Sequence, residues 1–306
     1  MSTAIVTSEA ERAQLRASTQ SFFGIVRGEL LKMSRRWSTW IPLVLVLLFI
    51  SAGMLIRLLT NGNFNETIAQ HPLDIMYSEM NNGLALIRIF TGLYFLVLVA
   101  YVIGLEYQMG TIRILVARGV GKLTLLAAKV TSVAIAALLV MLLSAVVVVI
   151  CICILLLAKA GNLDAFKALT GQFWADTGTY TLTVLVSAAV TILLGTAFSM
   201  LGRSLTIGLS AGLAWFPVDN IGAQFLQLAY LITKNDFWKN VTAYFLGPNL
   251  NTMAAQVLPA KLGFNSAGIA PLVKVDGAHT LWVALVYAAF FLVVSVVLTW
   301  RRDIKE

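Results

Sequence analysis

Apolar positions gather in six blocks, at roughly 39–59, 84–105, 125–158, 178–201, 205–218 and 279–300, with polar segments between them. A helix needs ~20 mostly apolar residues to cross a bilayer, and every block but the fifth reaches that. The blocks do not alternate with period two, as barrel strands do. Inside hydrocarbon only helices and closed barrels satisfy all backbone groups. The pattern therefore predicts an all-α polytopic membrane protein: a tail over 1–20, then one membrane domain over 21–306 with six transmembrane helices. Pro217 is expected to break the short fifth helix. Residues 130–158 alone would reach ~44 Å at 1.5 Å per residue, so the third span must tilt or protrude. The connection 219–278 carries Pro248, Pro259 and Pro271 and predicts short helices on the outer mouth, some dipping back into protein-lined space.

Two polar pieces do not read as plain linkers. Over 21–38, Phe22, Val26, Leu30, Met33 and Trp37 follow one helical face, while Arg27, Lys32, Arg35 and Arg36 fall on the other; Glu29 belongs to the same predicted helix. That pattern predicts a basic amphipathic helix lying in the membrane interface; an ordinary basic flank of the first span is the plainer alternative. The second piece is "EYQMGTIRILVARGVGKL" at 106–123. Gly110 can end the preceding helix, and Gly119 and Gly121 bound the far side. Between them "TIRILVAR" predicts a short helix with Ile112 and Leu115 or Val116 on one side and Arg113 on the other. Such a helix suits docking to a soluble partner, or serves only as a basic connector.

Charge fixes the expected orientation. Only 12% of the 306 residues are charged, and the net charge is +8. With both termini on one side, that side carries fourteen of the 22 basic residues and six of the 14 acids. The other side is neutral. This is the positive-inside pattern, and it turns the positive charge toward anionic lipid and cytoplasmic partners rather than nucleic acid. Trp37, Trp40 and Trp300 fall at the predicted inner boundary, and Trp174, Trp215 and Trp282 at the outer one, as an aromatic belt requires. A polar stretch precedes the first long apolar block, which argues against a cleaved signal peptide.

Catalytic chemistry is not legible. His71 and His279 stand apart from each other and from cysteine, so no metal site is assigned. "GVGK" at 119–122 has Val116 and Leu123 where a phosphate-binding loop needs Gly and Ser or Thr. No catalytic, cofactor-binding or metal residue is assigned to this chain. Arg57 and Arg88 lie near outer span ends, where snorkelling accounts for them. Phe90, Tyr94 and Tyr101 share one face of span 2, and Gly208, Gly212, Trp215 and Asp219 share one face of span 5. Either face suits a substrate pathway, a contact with a second copy, or ordinary packing.

The segments "RGELLKMSRRWSTWI" at 27–41, "GLEYQMGTIRILVARGVGKLTLLAAKV" at 104–130 and "YFLGPNLNTMA" at 244–254 resemble the permease subunits of ABC-2 type ATP-binding cassette exporters, the type V exporter fold. The resemblance implies a connecting helix before span 1 and a coupling helix between spans 2 and 3. Glu106, Gly110, Thr111, Arg113, Arg118 and Lys122 then contact an ATPase. It also implies two separate ABC ATPase subunits that bind ATP and Mg, a second permease copy or homologue, and a prokaryotic plasma membrane with both termini cytoplasmic. The few intramembrane charges favour a lipid-like, peptide or hydrophobic cargo over a small ion. An ATP-independent channel or secondary transporter, and a non-transporting membrane anchor, are the competing readings. A secondary transporter would need a central acid, and the sequence offers none.

Overall fold

The computed structural model describes residues 21–59, 68, 70–117, 119–264 and 266–301. The predicted tail and Arg118 lie outside them. All regular structure among the described residues is helical. Helix α1 spans Phe22–Ser34 and α2 Trp37–Leu55, the latter ending in a 3-10 turn at Ile56–Leu58. Helix α3 runs Pro72–Gln108 and includes a π-helical turn at Ala100–Gly104. The short α4 is Thr111–Ala117, followed by α5 (Lys122–Ala160), α6 (Gly171–Gly202) and α7 (Leu205–Thr233). Helices α8 (Phe237–Thr242) and α9 (Leu246–Val257) lead to α10 (Gly277–Arg301).

Five of these, α2, α3, α5, α6 and α10, are long and apolar enough to cross a membrane. Their outward faces carry large apolar side chains: Leu48 is 59% exposed, Leu142 64% and Val293 58%. Water would penalise such a surface, whereas hydrocarbon accommodates it. The chain is a multi-pass membrane protein. The sixth long helix, α7, differs from expectation. Pro217 does not break it: the helix continues to Thr233, which makes it ~44 Å long. Its second half carries Asp219, Asn220, Gln224 and Gln227 and is less apolar than the other five.

The bundle is organised around α3 and α6, which pack along each other. A larger core joins α2, α3, α5 and α6 through Ile50, Met54, Phe95, Val133, Leu156 and Val184. A second core joins α6 to α9 and α10 through Leu194, Leu246, Met253, Ala284 and Phe291. Helix α9 is a short segment of the predicted outer connection that dips back into protein-lined space. Leu246, Pro248, Asn249, Leu250 and Met253 are all buried, so the helix is inserted between α6, α7 and α10. Long helices alternate in direction, which brings α1, α4, the start of α5 and the ends of α3, α6 and α10 to one end of the bundle. That end is called the basic end below.

Candidate functional site

Helix α1 is set by its caps. The Ser21 hydroxyl accepts from the Gly24 amide at 3.1 Å, satisfying one of the free N-terminal donors. At the far end, Arg35 and Arg36 make the bend into α2. Val26 and Met33 are buried on the face that packs against α5, as the stripe predicts, and Leu30 is half-buried. Trp37 departs from the stripe and is 79% exposed. Glu29 sits on the buried face.

The reason is a four-membered ion cluster. Lys32 Nζ lies 2.6 Å from Glu29 Oε1 and 2.7 Å from Glu106 Oε1. Lys129 Nζ lies 3.0 Å from Glu29 Oε1 and 2.6 Å from Glu106 Oε2. Two carboxylates and two ammonium groups thus bind α1, α3 and α5 to each other. Burial alone lowers the pKa of Lys32, but the hydrogen bonds to Glu106 and Glu29 outweigh it and hold the ammonium above its ordinary value. Lys129 is buried almost completely, at 2% exposure. Such a charge is tolerated only when paired and hydrogen-bonded.

The π-helical turn supplies the remaining partners. A π turn breaks the regular backbone ladder and leaves carbonyls available to other donors. Val102 O accepts from Lys129 Nζ at 3.2 Å, and Tyr101 O from Arg36 at 3.5 Å. Gly104 closes the turn against the α6–α7 corner. A Cβ there would stand 2.9 Å from Ser204 O, so only glycine allows that approach.

Helix α4 forms as the sequence predicts. Gly110 and Gly119, with φ of 69° and 87°, flank it in the left-handed region that glycine adopts at least cost. Ile112 is buried with Val120 and Leu125, and Leu115, Val116, Ile25 and Tyr107 pack around them. Arg113 and Thr111 are exposed, Gly110 and Lys122 half-buried. Between α1 and α4 runs a groove of about 380 Å³, lined by Gly24, Ile25, Gly28, Leu115 and Leu125 among others. On α1 itself, Arg27 and Arg35 are exposed and Arg36 is half-buried. The basic end therefore presents a two-helix surface with an open groove and peripheral arginines.

Glu106 is the residue the sequence misplaces. It was expected at an exposed docking surface, and it is 6% exposed with its carboxylate turned into the bundle. Lys129, its main partner, is one of the fourteen basic residues that the charge pattern places on the inner side. A lone charge of each sign just inside two apolar blocks was the available signal.

The two proposed pathway faces are spent on packing. Phe90 stacks on Phe49 at 5.4 Å and 8°, Tyr94 is buried beside Phe95, and Tyr101 lies in the π turn. A Cβ on Gly208 would sit 2.9 Å from the Ser199 Cα, and one on Gly212 would sit 3.3 Å from Leu96. Both glycines thus serve contacts within this chain, with α6 and α3. Trp215 packs against Phe198, Tyr287 and Phe291. Asp219 accepts from the Gly247 amide at the start of α9.

Arg88 and Arg57 do not snorkel freely. Arg88 donates to Asn251 Oδ1 at 2.9 Å and Ala267 O at 3.0 Å, and Asn251 in turn donates to Asn220 Oδ1 at 2.8 Å. Arg57 pairs with Glu79, which is fully buried. Among the described residues no cluster of three metal-binding side chains occurs.

Residues 25–214 match the family model of the ABC-2 family transporter proteins. The match covers well over half of the chain and runs from within α1 through the first third of α7. Among curated proteins, none matches.

Proposed function

Because the chain belongs to the ABC-2 transporter family and is one of its multi-pass permeases, we propose that it is the membrane subunit of an ATP-driven exporter and couples at its basic end to separate ATPase subunits. The observation that carries this reading is the two-helix surface. Helix α4, bounded by two left-handed glycines, and helix α1 flank an open groove; the buried ion cluster ties α1 to α3 and α5, and α4 is held to the same two helices by the Thr111 hydroxyl donating to Glu106 O and by Ile112 packing with Leu125. A push on α1 or α4 is then shared by two long helices instead of being lost in a loop. The excess of basic residues at this end supports placing it in the cytoplasm, with α7 as a sixth span. ATP and Mg belong on the partner chains, two per complex, with a second permease completing the assembly. Differential contacts of the ATPase with two arrangements of the helices then shift their populations.

The test is recovery of the complex. The tagged chain, co-expressed with its genomic neighbours, is expected to co-purify with a Walker-motif ATPase in equal amount. Gly28→Leu fills the groove, since nothing lies within 4 Å of a Cβ at that position. It is expected to leave the melting temperature of the chain unchanged and to reduce ATPase recovery, as is Arg113→Ala. Full recovery with both variants would place the docking surface elsewhere. A transport-competent preparation free of any ATPase would sink the reading.

A further inference from the structure

A second cavity at the basic end lies behind α4 rather than on its open side. It measures about 80 Å³ and is bounded by α3, α4, α5, α6 and α10. A single ordered water needs roughly 10–15 Å³ of such space, so this one takes a group of several heavy atoms. Arg113, Lys122, Lys129 and Arg203 line it, with Met200 and Leu298 on the apolar side, and no carboxylate is in its wall among the described residues. The charge of Lys129 is matched by Glu106. Arg113 and Arg203 also line the cavity, and among the described residues neither forms an ion pair. Arg203 is also held at φ 46°, as the left-handed cap of α6. Glycine or asparagine would occupy that position at less cost. A strained arginine beside a cavity with an excess of positive charge points to a use for its side chain.

We propose that this cavity binds the phosphate of an anionic membrane phospholipid, with the acyl chains remaining in the bilayer beside α10. Three features favour a lipid over a free anion. The site is at a span boundary, where Trp300 is 70% exposed on α10 as interfacial tryptophans are. Its wall joins arginines to Met200 and Leu298, matching a charged group attached to an apolar stem. Basic pockets between spans at this depth are suited to anionic headgroups. Guanidinium groups grip phosphate oxygens in pairs, which an ammonium cannot do. The inference requires only that the chain resides in a membrane, not that an ATPase docks on it.

The experiment uses the purified full chain alone, in a nonionic detergent. It is titrated with dihexanoyl phosphatidylglycerol, dihexanoyl phosphatidylcholine and inorganic phosphate. Phosphatidylglycerol is expected to bind at least about tenfold more tightly than either of the others, a difference of about 1.4 kcal/mol. Arg113→Gln/Arg203→Gln is expected to lose that preference. Lys159→Gln/Lys167→Gln, an equal loss of two positive charges at the opposite end of the bundle, is expected to keep it. Arg113→Gln alone serves if the double variant does not fold, because its side chain is exposed. Equal affinity for the two lipids, or an undiminished preference in the arginine variants, overturns the proposal. Inorganic phosphate binding as tightly as phosphatidylglycerol makes this a free-anion site and overturns the lipid assignment.

Discussion

Among single residues, Glu106 and Lys129 carry the largest stakes. Each is buried, and each has a partner on two other helices. Removing one member of a buried pair costs ~3–5 kcal/mol, chiefly through the charge left behind. Glu106→Ala and Lys129→Met are therefore expected to lower the melting temperature of the solubilised chain sharply. Combining Glu106→Ala with Lys129→Met leaves the Glu29–Lys32 pair balanced, so the double variant is expected to melt well above the level set by adding the two single losses. Strict additivity would show that the four groups do not act as one cluster. Arg113→Ala touches no such partner, and exposed substitutions of that kind change stability by less than ~0.5 kcal/mol. The pairing was not legible in the sequence. Charge spacing along one chain says where two ions sit relative to a span end, but not that 74 residues separate partners that the bundle brings together.

The elements were legible in proportion to how local their causes are. Helix α4 follows from two glycines and one apolar face, and α1 from a serine cap and a stripe; both stand close to where the pattern puts them. Helix α7 does not, because its length is decided by neighbours. Pro217 deletes one backbone donor, yet inside a bundle adjacent helices and side chains compensate such a loss. Trp215 packs against α6 and α10 on one side of it, and Asn220 donates to Phe216 O at 2.7 Å on the other. The same dependence makes α7 sensitive at its contact with α6. Gly208→Val would drive a branched side chain into Ser199, whose Cα lies 2.9 Å from the Cβ position. Gly92→Val, on a helical glycine with nothing within 4 Å, adds the same bulk and the same change in propensity. The first variant is expected to give a lower melting temperature and a lower yield of monodisperse protein than the second. Equal behaviour of the two would mean that α7 is not held against α6 by close backbone approach.

At the scale of the whole molecule, orientation follows from charge and is open to a direct chemical test. The sequence assigned 219–278 to the outside, but not every residue there can report it. Asn249 is fully buried in α9, so a cysteine at that site would be silent whatever the topology. Asn235, in the exposed turn between α7 and α8, is a sound reporter. Met109, 70% exposed between α3 and α4, is its counterpart at the basic end. Cys151 and Cys153 lie within α5, the first buried and the second half-buried, and both would first be replaced by alanine. The energetic argument for direction is the bias of arginine and lysine toward the cytoplasmic ends of spans, together with their attraction to the anionic inner leaflet. An impermeant maleimide applied to intact cells is expected to label Asn235→Cys at once and to reach Met109→Cys only after the membrane is opened. Labelling of Met109→Cys in sealed cells, with Asn235→Cys protected, would turn the molecule over. The α1–α4 groove would then face away from ATP, and the ATPase reading would fail with the orientation.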